Sequence, residues 1–167
     1  MSGWRPMKMA DIAAVSAISD AVHGAYTEGA VIYAERLRLY PAGCWLLEHD
    51  ETALGYCISH PWLGDAPPTL DTRMQAIPTR PDRYYLHDLA LLPQARGTGA
   101  AGDGVELVVA QARQAGFDRI ALTAVNGADA FWRRQGFNAF PIQNAAYGAG
   151  SIMMERTTAE GRDRQRE

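Results

Sequence analysis

The feature that most constrains this chain is a run of small residues set between an apolar strand and a helix. Tyr84 to Leu92 is dense in aromatic and aliphatic residues and predicts a strand. Ala100 to Ala115 predicts a helix, stopped by Gly116 as a C-cap. Arg119 to Val125 predicts the next strand. A strand, a helix and a strand in that order fold with the two strands as parallel neighbours. The connection, Gln94-Ala95-Arg96-Gly97-Thr98-Gly99-Ala100-Ala101, has little or no side chain at Gly97, Gly99, Ala100 and Ala101. An anion can approach the backbone there, at a helix end whose first N–H groups are unpaired and whose dipole is positive. Arg96 adds a cation, so the loop has the makings of a pyrophosphate cradle.

The rest of the chain supplies a single mixed α/β (α+β) domain, with neither an internal repeat nor a dividing linker. Trp4 to Lys8 reads as a first strand. Asp11 reads as the N-cap of a helix carrying Ile12, Val15, Ile18 and Val22. Ala30 to Leu39 reads as a second helix, ended by Pro41. Gly43 to Glu48 and Thr52 to Ser59 predict a hairpin turning at Asp50-Glu51. A two-residue turn puts Cys44 opposite Cys57, where a disulfide is conceivable; two reduced thiols suit a cytosolic protein better. Pro61 to Arg83 holds five prolines and is either a cover over a binding site or a variable surface loop. Ala128 to Arg134 predicts a short helix, and Phe137 to Ile142 and Ser151 to Arg156 predict the last strands. The domain is expected to span 1–156, with a charged, frayed tail over 157–167.

Composition closes off several classes. Acidic residues outnumber basic ones by 19 to 16, which leaves no basic footprint for nucleic acid. The N-terminus lacks the apolar stretch of a signal peptide, and no run approaches the ~18 apolar residues of a membrane span. The expectation is therefore a cytoplasmic protein. Neither the two cysteines nor the four histidines show metal-ligand spacing, and no metal is expected. Gly97 to Gly102 also fits G-x-G-x-x-G, the dinucleotide fingerprint. Its context is wrong for an NAD(P)-binding oxidoreductase: Pro93 to Arg96 separate the first glycine from the strand, and Asp118 precedes the second strand instead of closing it.

The segment resembles motif A of the GNAT superfamily, Q/R-x-x-G-x-G/A after a strand and at a helix start, with Gln94, Gly97 and Gly99 in order. Leu89-Ala90-Leu91-Leu92-Pro93 resembles the strand that leads into it. Downstream, Ala128, Phe131, Trp132, Gly136 and Phe137 resemble the family's A-x-x-hydrophobic-Tyr-x-x-x-G-F segment. The two matches cover Tyr84 to Phe137. The resemblance implies a mixed central sheet flanked by helices, with a splayed central strand pair, and acetyl-CoA-dependent N-acetylation of a primary amine of a small molecule. It implies that Arg96, Gly97, Thr98, Gly99, Ala100 and Ala101 bind the pyrophosphate. Leu89, Leu91 and Leu92 would run beside the cosubstrate, with N–H groups near Leu91 polarising the acetyl carbonyl. It also allows a homodimer.

Two departures matter. Many members carry a Tyr, as acid for the leaving thiolate, where this chain has Trp132, and an indole N–H is no acid at useful pH. Many also carry an Asn where this chain has Val125, with Asn126 one residue off. Tyr147, water, or proximity alone with Trp132 shaping the acyl pocket are the alternatives for the thiolate. For the base, Asp88 stands out as a charge inside an apolar strand, on the same side as Leu86 and Ala90 under simple alternation; His87, with Leu89, is its rival. The Tyr26 to Tyr33 region and the Pro61 to Arg83 loop would wall the amine site, with Glu28, Asp65 and Asp71 favouring a cation. A non-catalytic acyl-CoA-binding module is the alternative function.

Overall fold

The computed structural model describes residues 3–141, 143, 148 and 150–159. In chain order the elements are β1 (Trp4–Pro6), α1 (Ile12–His23), α2 (Ala30–Leu39), β2 (Cys44–His49), β3 (Thr52–Trp62) and β4 (Arg83–Leu91). They continue with α3 (Ala100–Gln114), β5 (Arg119–Ala124), α4 (Asp129–Arg134), β6 (Asn138–Ala139) and β7 (Ile152–Thr157). The strands form one sheet in the order β1-β2-β3-β4-β5-β7-β6. β1 to β4 are antiparallel neighbours, β4 and β5 are parallel, and β7 runs antiparallel to β5 and β6. The expected strand–helix–strand unit is β4-α3-β5.

The two faces of the sheet are covered differently. Val15, Ile18, Tyr33 and Leu37 of α1 and α2 bury against Leu46, Tyr56, Ile58 and Ala90. On the other face Val105, Val108, Val109 and Ala112 of α3, one stripe at helical spacing, pack with Tyr84, Leu86, Ile120, Leu122 and Trp132. Trp4 of β1 props the start of α3: its indole Nε1 donates to the Ala100 carbonyl at 2.9 Å. Gly104 permits that approach, because a Cβ there would lie 2.9 Å from the indole ring.

Several expectations shift at their edges. Asp11 takes the N-cap position of α1 but its side chain makes no capping bond; its carboxylate takes two bonds from Arg5 at 2.9 Å and one from the Lys8 N–H at 2.7 Å. The hairpin turns at Asp50-Glu51, both in the left-handed region, and His49 faces Thr52. A register shift between Leu47 and Glu48 then sets Cys44 opposite Ile58 and Trp45 opposite Cys57. Cys44 packs on the α1/α2 face and Cys57 on the α3 face, and both are free thiols. β3 runs through Pro61 to Trp62, since an extended strand accepts the fixed φ of proline and loses only one donor. The loop thus shortens to residues 63–82. The last strand ends at Thr157 rather than Arg156. Thr158 is buried, with its hydroxyl on the Phe117 carbonyl at 2.8 Å and Arg113 donating to its own carbonyl. Of the strand expected over Phe137 to Ile142, the described residues that join the sheet are Asn138 and Ala139, against Glu155 and Met154; Ile142 lies outside the described residues.

Candidate active site

The Gly-rich loop leaves the sheet where the Leu92 N–H donates to Leu54 at 2.8 Å, and Pro93 to Ala95 make one tight turn. Gly97 (φ 75°) and Gly99 (φ 85°) then carry the chain into α3 through conformations that strain any residue with a Cβ. A Cβ at either position would meet no atom within 4 Å, so conformation rather than crowding calls for glycine. The Thr98 hydroxyl pins the turn, donating to Ala95 at 2.6 Å and accepting from Ala100 at 3.3 Å. Among the described residues, no backbone carbonyl accepts from the N–H groups of Gly97, Thr98, Gly99, Ala101 or Gly102. These donors stand at the positive end of a 15-residue helix, with Gln94 and Arg96 exposed beside them. That arrangement fits a pyrophosphate.

The second part of the site is a gap in the sheet. β4 and β5 pair only at Tyr84 with Ile120 and Tyr85 with Ala121, and beyond that they separate. A cavity of about 230 Å³ opens there. Leu86 to Leu89 line it from β4, and Leu122, Thr123, Val125 and Asn126 from β5 and its exit. Trp132 of α4, His23 of α1, Glu28 and Leu70 also line it. The Leu92 bond to β3 fixes the alternation of the β4 ladder, so the N–H groups of Leu89 and Leu91 point away from β3, into the gap.

A bulge decides which side chains face this cavity. Ile58 pairs with Asp88 but Ser59 with Leu86, so His87 is an extra residue in β4. Asp88 therefore does not share a side with Leu86, nor His87 with Leu89. Leu86 and Leu89 pack toward α3, whereas Asp88 and His87 turn toward α1 and α2.

Two carboxylate–imidazole pairs result. His23 Nε2 donates to Asp88 Oδ1 at 2.6 Å, and Tyr56 and Tyr33 donate to Oδ2 at 2.6 and 3.4 Å. His87 Nε2 donates to Glu28 Oε1 at 2.7 Å, while the Asp71 N–H holds the other Glu28 oxygen at 2.8 Å. Burial alone would raise the Asp88 carboxyl, but the His23 charge and the hydrogen bonds of His23 and Tyr56 outweigh it and hold Asp88 below the usual carboxylate range. Burial likewise disfavours the His23 cation, yet the charge and bond of Asp88 raise its imidazole above the ordinary value. Glu28 is lowered in the same way, with His87 overcoming burial. His60 lies beside His87, ring centres 5.7 Å apart, and burial pushes it down to about 3, so it stays neutral. Among the described residues no Lys or Arg lines the cavity, and no group of three His, Cys, Asp or Glu is placed to hold a metal ion.

Of the residues singled out from sequence, Asp88, His87, Leu89, Asn126 and Trp132 meet at the cavity. Gln94 to Ala101 form the loop, and Leu91 packs with Ala95 and Ala100 between the two. Leu92 packs toward α1 and α2. Phe131 stands off the cavity and packs edge-on against Trp132, which also meets Phe137. Asp65 is exposed and pairs with Arg83, and Asp71 caps Gly29; neither lines the cavity. Tyr147 lies outside the described residues. His23 and Tyr56 escaped sequence reasoning, and Tyr33 entered it only as the end of the Tyr26 to Tyr33 region: nothing local links any of them to Asp88.

The chain matches the acetyltransferase (GNAT) family over residues 11–137 and belongs to it. Solved structures of similar fold include the GphF GNAT-like decarboxylase in complex with isobutyryl-CoA, at 15% identity and TM-score 0.75, covering 93% of this chain and 99% of that one. Ard1 from Thermoplasma volcanium follows at 13% identity and TM-score 0.73, covering 94% and 97%. The ribosomal-protein-S18-alanine N-acetyltransferase from Escherichia coli aligns at 14% identity and TM-score 0.69, covering 98% of each. At these identities the likeness is one of fold. No curated protein matches the chain in sequence. Family membership makes this an acyl-CoA-dependent acyltransferase, and no helix among the described residues is long and apolar enough to cross a membrane.

Proposed function

We propose that the protein transfers an acetyl group from acetyl-CoA to the primary amine of a small molecule, directly, in a ternary complex. The observation that carries this reading is the cavity between the diverging ends of β4 and β5, lined by the strand that leads into the Gly-rich loop. In the proposed complex the loop N–H groups and Arg96 hold the pyrophosphate. The Leu89 and Leu91 N–H groups accept the thioester carbonyl as its oxygen gains charge. Trp132 shapes the acyl end with Asn126 nearby. A cavity of about 230 Å³ suits an acyl group and a compact acceptor rather than a protein surface.

Charge supports an amine. The cavity wall carries Asp88 and Glu28, and its cationic groups among the described residues are imidazoles already paired with those acids. An ammonium group suits such a wall. A carboxylate-bearing substrate, of the kind a decarboxylase consumes, would find no unpaired cation there among the described residues. Buried thiols argue for direct transfer: Cys44 is 1% and Cys57 0% exposed, and burial pushes Cys44 up to about 12, so neither offers a thiolate. Tyr147 or water supplies the proton for the departing thiolate.

Trp132 in the position of the usual acid also favours a second reading, an acyl-CoA-binding module without turnover. Thiol release from acetyl-CoA across a panel of compact amines separates the two. Turnover with any acceptor is expected, and Gly99→Val, strained at φ 85°, should raise KM for acetyl-CoA at least ~10-fold, the equivalent of about 1.4 kcal/mol. Thermal stabilisation by acetyl-CoA with no turnover on the panel would favour the binding module.

A further inference from the structure

We infer that His23 is the general base that takes the proton from the acceptor ammonium, and that Asp88 is the residue that positions it. The inference rests on the acetyltransfer reading above and assigns its missing proton acceptor.

Among the described residues, four acid or imidazole groups at the cavity wall are chemically able to take a proton: Asp88, Glu28, His87 and His23. Asp88 is committed. Both of its oxygens accept hydrogen bonds, from His23, Tyr56 and Tyr33, and it is 9% exposed. Glu28 is committed too, with one oxygen on His87 and the other on the Asp71 N–H. His87 has a side chain 3% exposed, set among the rings of His60 and Tyr85 at 5.7 and 6.2 Å. His23 differs. It ends α1 at the cavity, and its side chain keeps 15% exposure. Asp88 accepts from Nε2, which obliges that nitrogen to carry the hydrogen in the neutral ring and leaves the lone pair on Nδ1. Among the described residues no group bonds Nδ1. A carboxylate on one ring nitrogen and an open lone pair on the other is the arrangement a base of this kind needs.

The step balances without a further reagent. Nδ1 takes one proton from R–NH3+, and the freed lone pair attacks the thioester carbonyl carbon. The C–S bond breaks and its electron pair leaves on the CoA sulfur. The nitrogen loses its second proton, which ends on that sulfur, and the imidazolium returns its own to solvent. The Asp88 charge stabilises the imidazolium while it lasts. Burial, Asp88 on β4 and Glu28 before α2 set its titration; the other titratable groups around the pair are Tyr33 on α2 and Tyr56 on β3, both on Asp88, and His87 on β4, on Glu28.

The test combines two measurements on the full chain. The first is the pH dependence of kcat/KM, with an acceptor whose own amine titrates above pH 9. The second is NMR titration of the His23 ring, assigned by its loss in His23→Gln. In the wild type, kcat/KM should rise with pH through the value at which the His23 ring titrates. His23→Gln should lose ~100-fold or more in kcat with KM for acetyl-CoA within threefold. Asp88→Asn should lower the kinetic and the ring titration together. If Asp88→Asn does not fold, the wild-type coincidence and His23→Gln still decide. A His23→Gln enzyme within threefold of wild-type kcat overturns the inference, and so does a kinetic value that fails to follow the ring. A wild type that binds acetyl-CoA yet releases no thiol with any acceptor sinks the acetyltransfer reading itself, and the base with it.

Discussion

Asp88 draws its hydrogen bonds from three elements: His23 of α1, Tyr33 of α2 and Tyr56 of β3. A carboxylate this buried persists as an anion because those donors and the His23 charge outweigh desolvation. The pair makes stability depend on pH with a fixed sign. The His23 contribution is complete below the unfolded value of about 6.5 and fades as pH rises through the raised folded value. The Asp88 contribution is complete above about 3.9 and fades as pH falls through the lowered folded value. Both are therefore complete between about pH 4 and 6.5. His23→Gln should cost about 2 kcal/mol in urea unfolding at pH 5.5, with the difference shrinking above neutrality. A difference that grows toward pH 8 would contradict the pair. At this scale the sequence went part of the way. A charge inside an apolar strand announced Asp88, but its partner lies 65 residues earlier in the chain. Nothing near His23 distinguishes it from a histidine that ends a surface helix.

At the scale of elements, the 63–82 loop is tied to α2 and to the segment before it by buried acids. Glu35 accepts from the Met74 and Gln75 N–H groups, and Glu28 from that of Asp71. Glu35 also pairs with Arg36 at 2.9 Å, with both side chains buried. Leu70 of the same loop reaches the cavity. Glu35→Gln should therefore destabilise the fold by about 3 kcal/mol, since it takes the anion from a buried pair. It should speed proteolytic nicking between residues 63 and 82 and raise KM for the acceptor, while KM for acetyl-CoA stays within twofold. Unchanged nicking would mean that the loop is held by other contacts. Proline content announced an irregular segment and left open whether it covers a site or decorates a surface. The carboxylates that decide lie some forty residues earlier, Glu28 before α2 and Glu35 on it. Composition alone reads Glu28 as a solvated acid, yet it is 5% exposed.

For the molecule as a whole, the sheet separates two cores, and each holds one cysteine. Both thiols should resist Ellman's reagent in the native protein and react together once guanidinium unfolds it. Acetyl-CoA without an acceptor should give no burst of free thiol; a stoichiometric burst would mean an acyl-enzyme and end the direct-transfer reading. The chain by itself determined the β4-α3-β5 unit and the Gly-rich loop at the start of α3. Strand, turn and helix signals there are local, and a glycine states its backbone conformation wherever it stands. It also placed the early helices and the hairpin to within a few residues. Tertiary structure alone decided the rest. The shift at Leu47 put the cysteines on opposite faces, and the bulge at His87 turned Asp88 toward α1. Both depend on the register between paired strands, where one extra residue redirects a side chain across the sheet. The acid–imidazole pairs exist only because that register brings α1, α2 and β4 together.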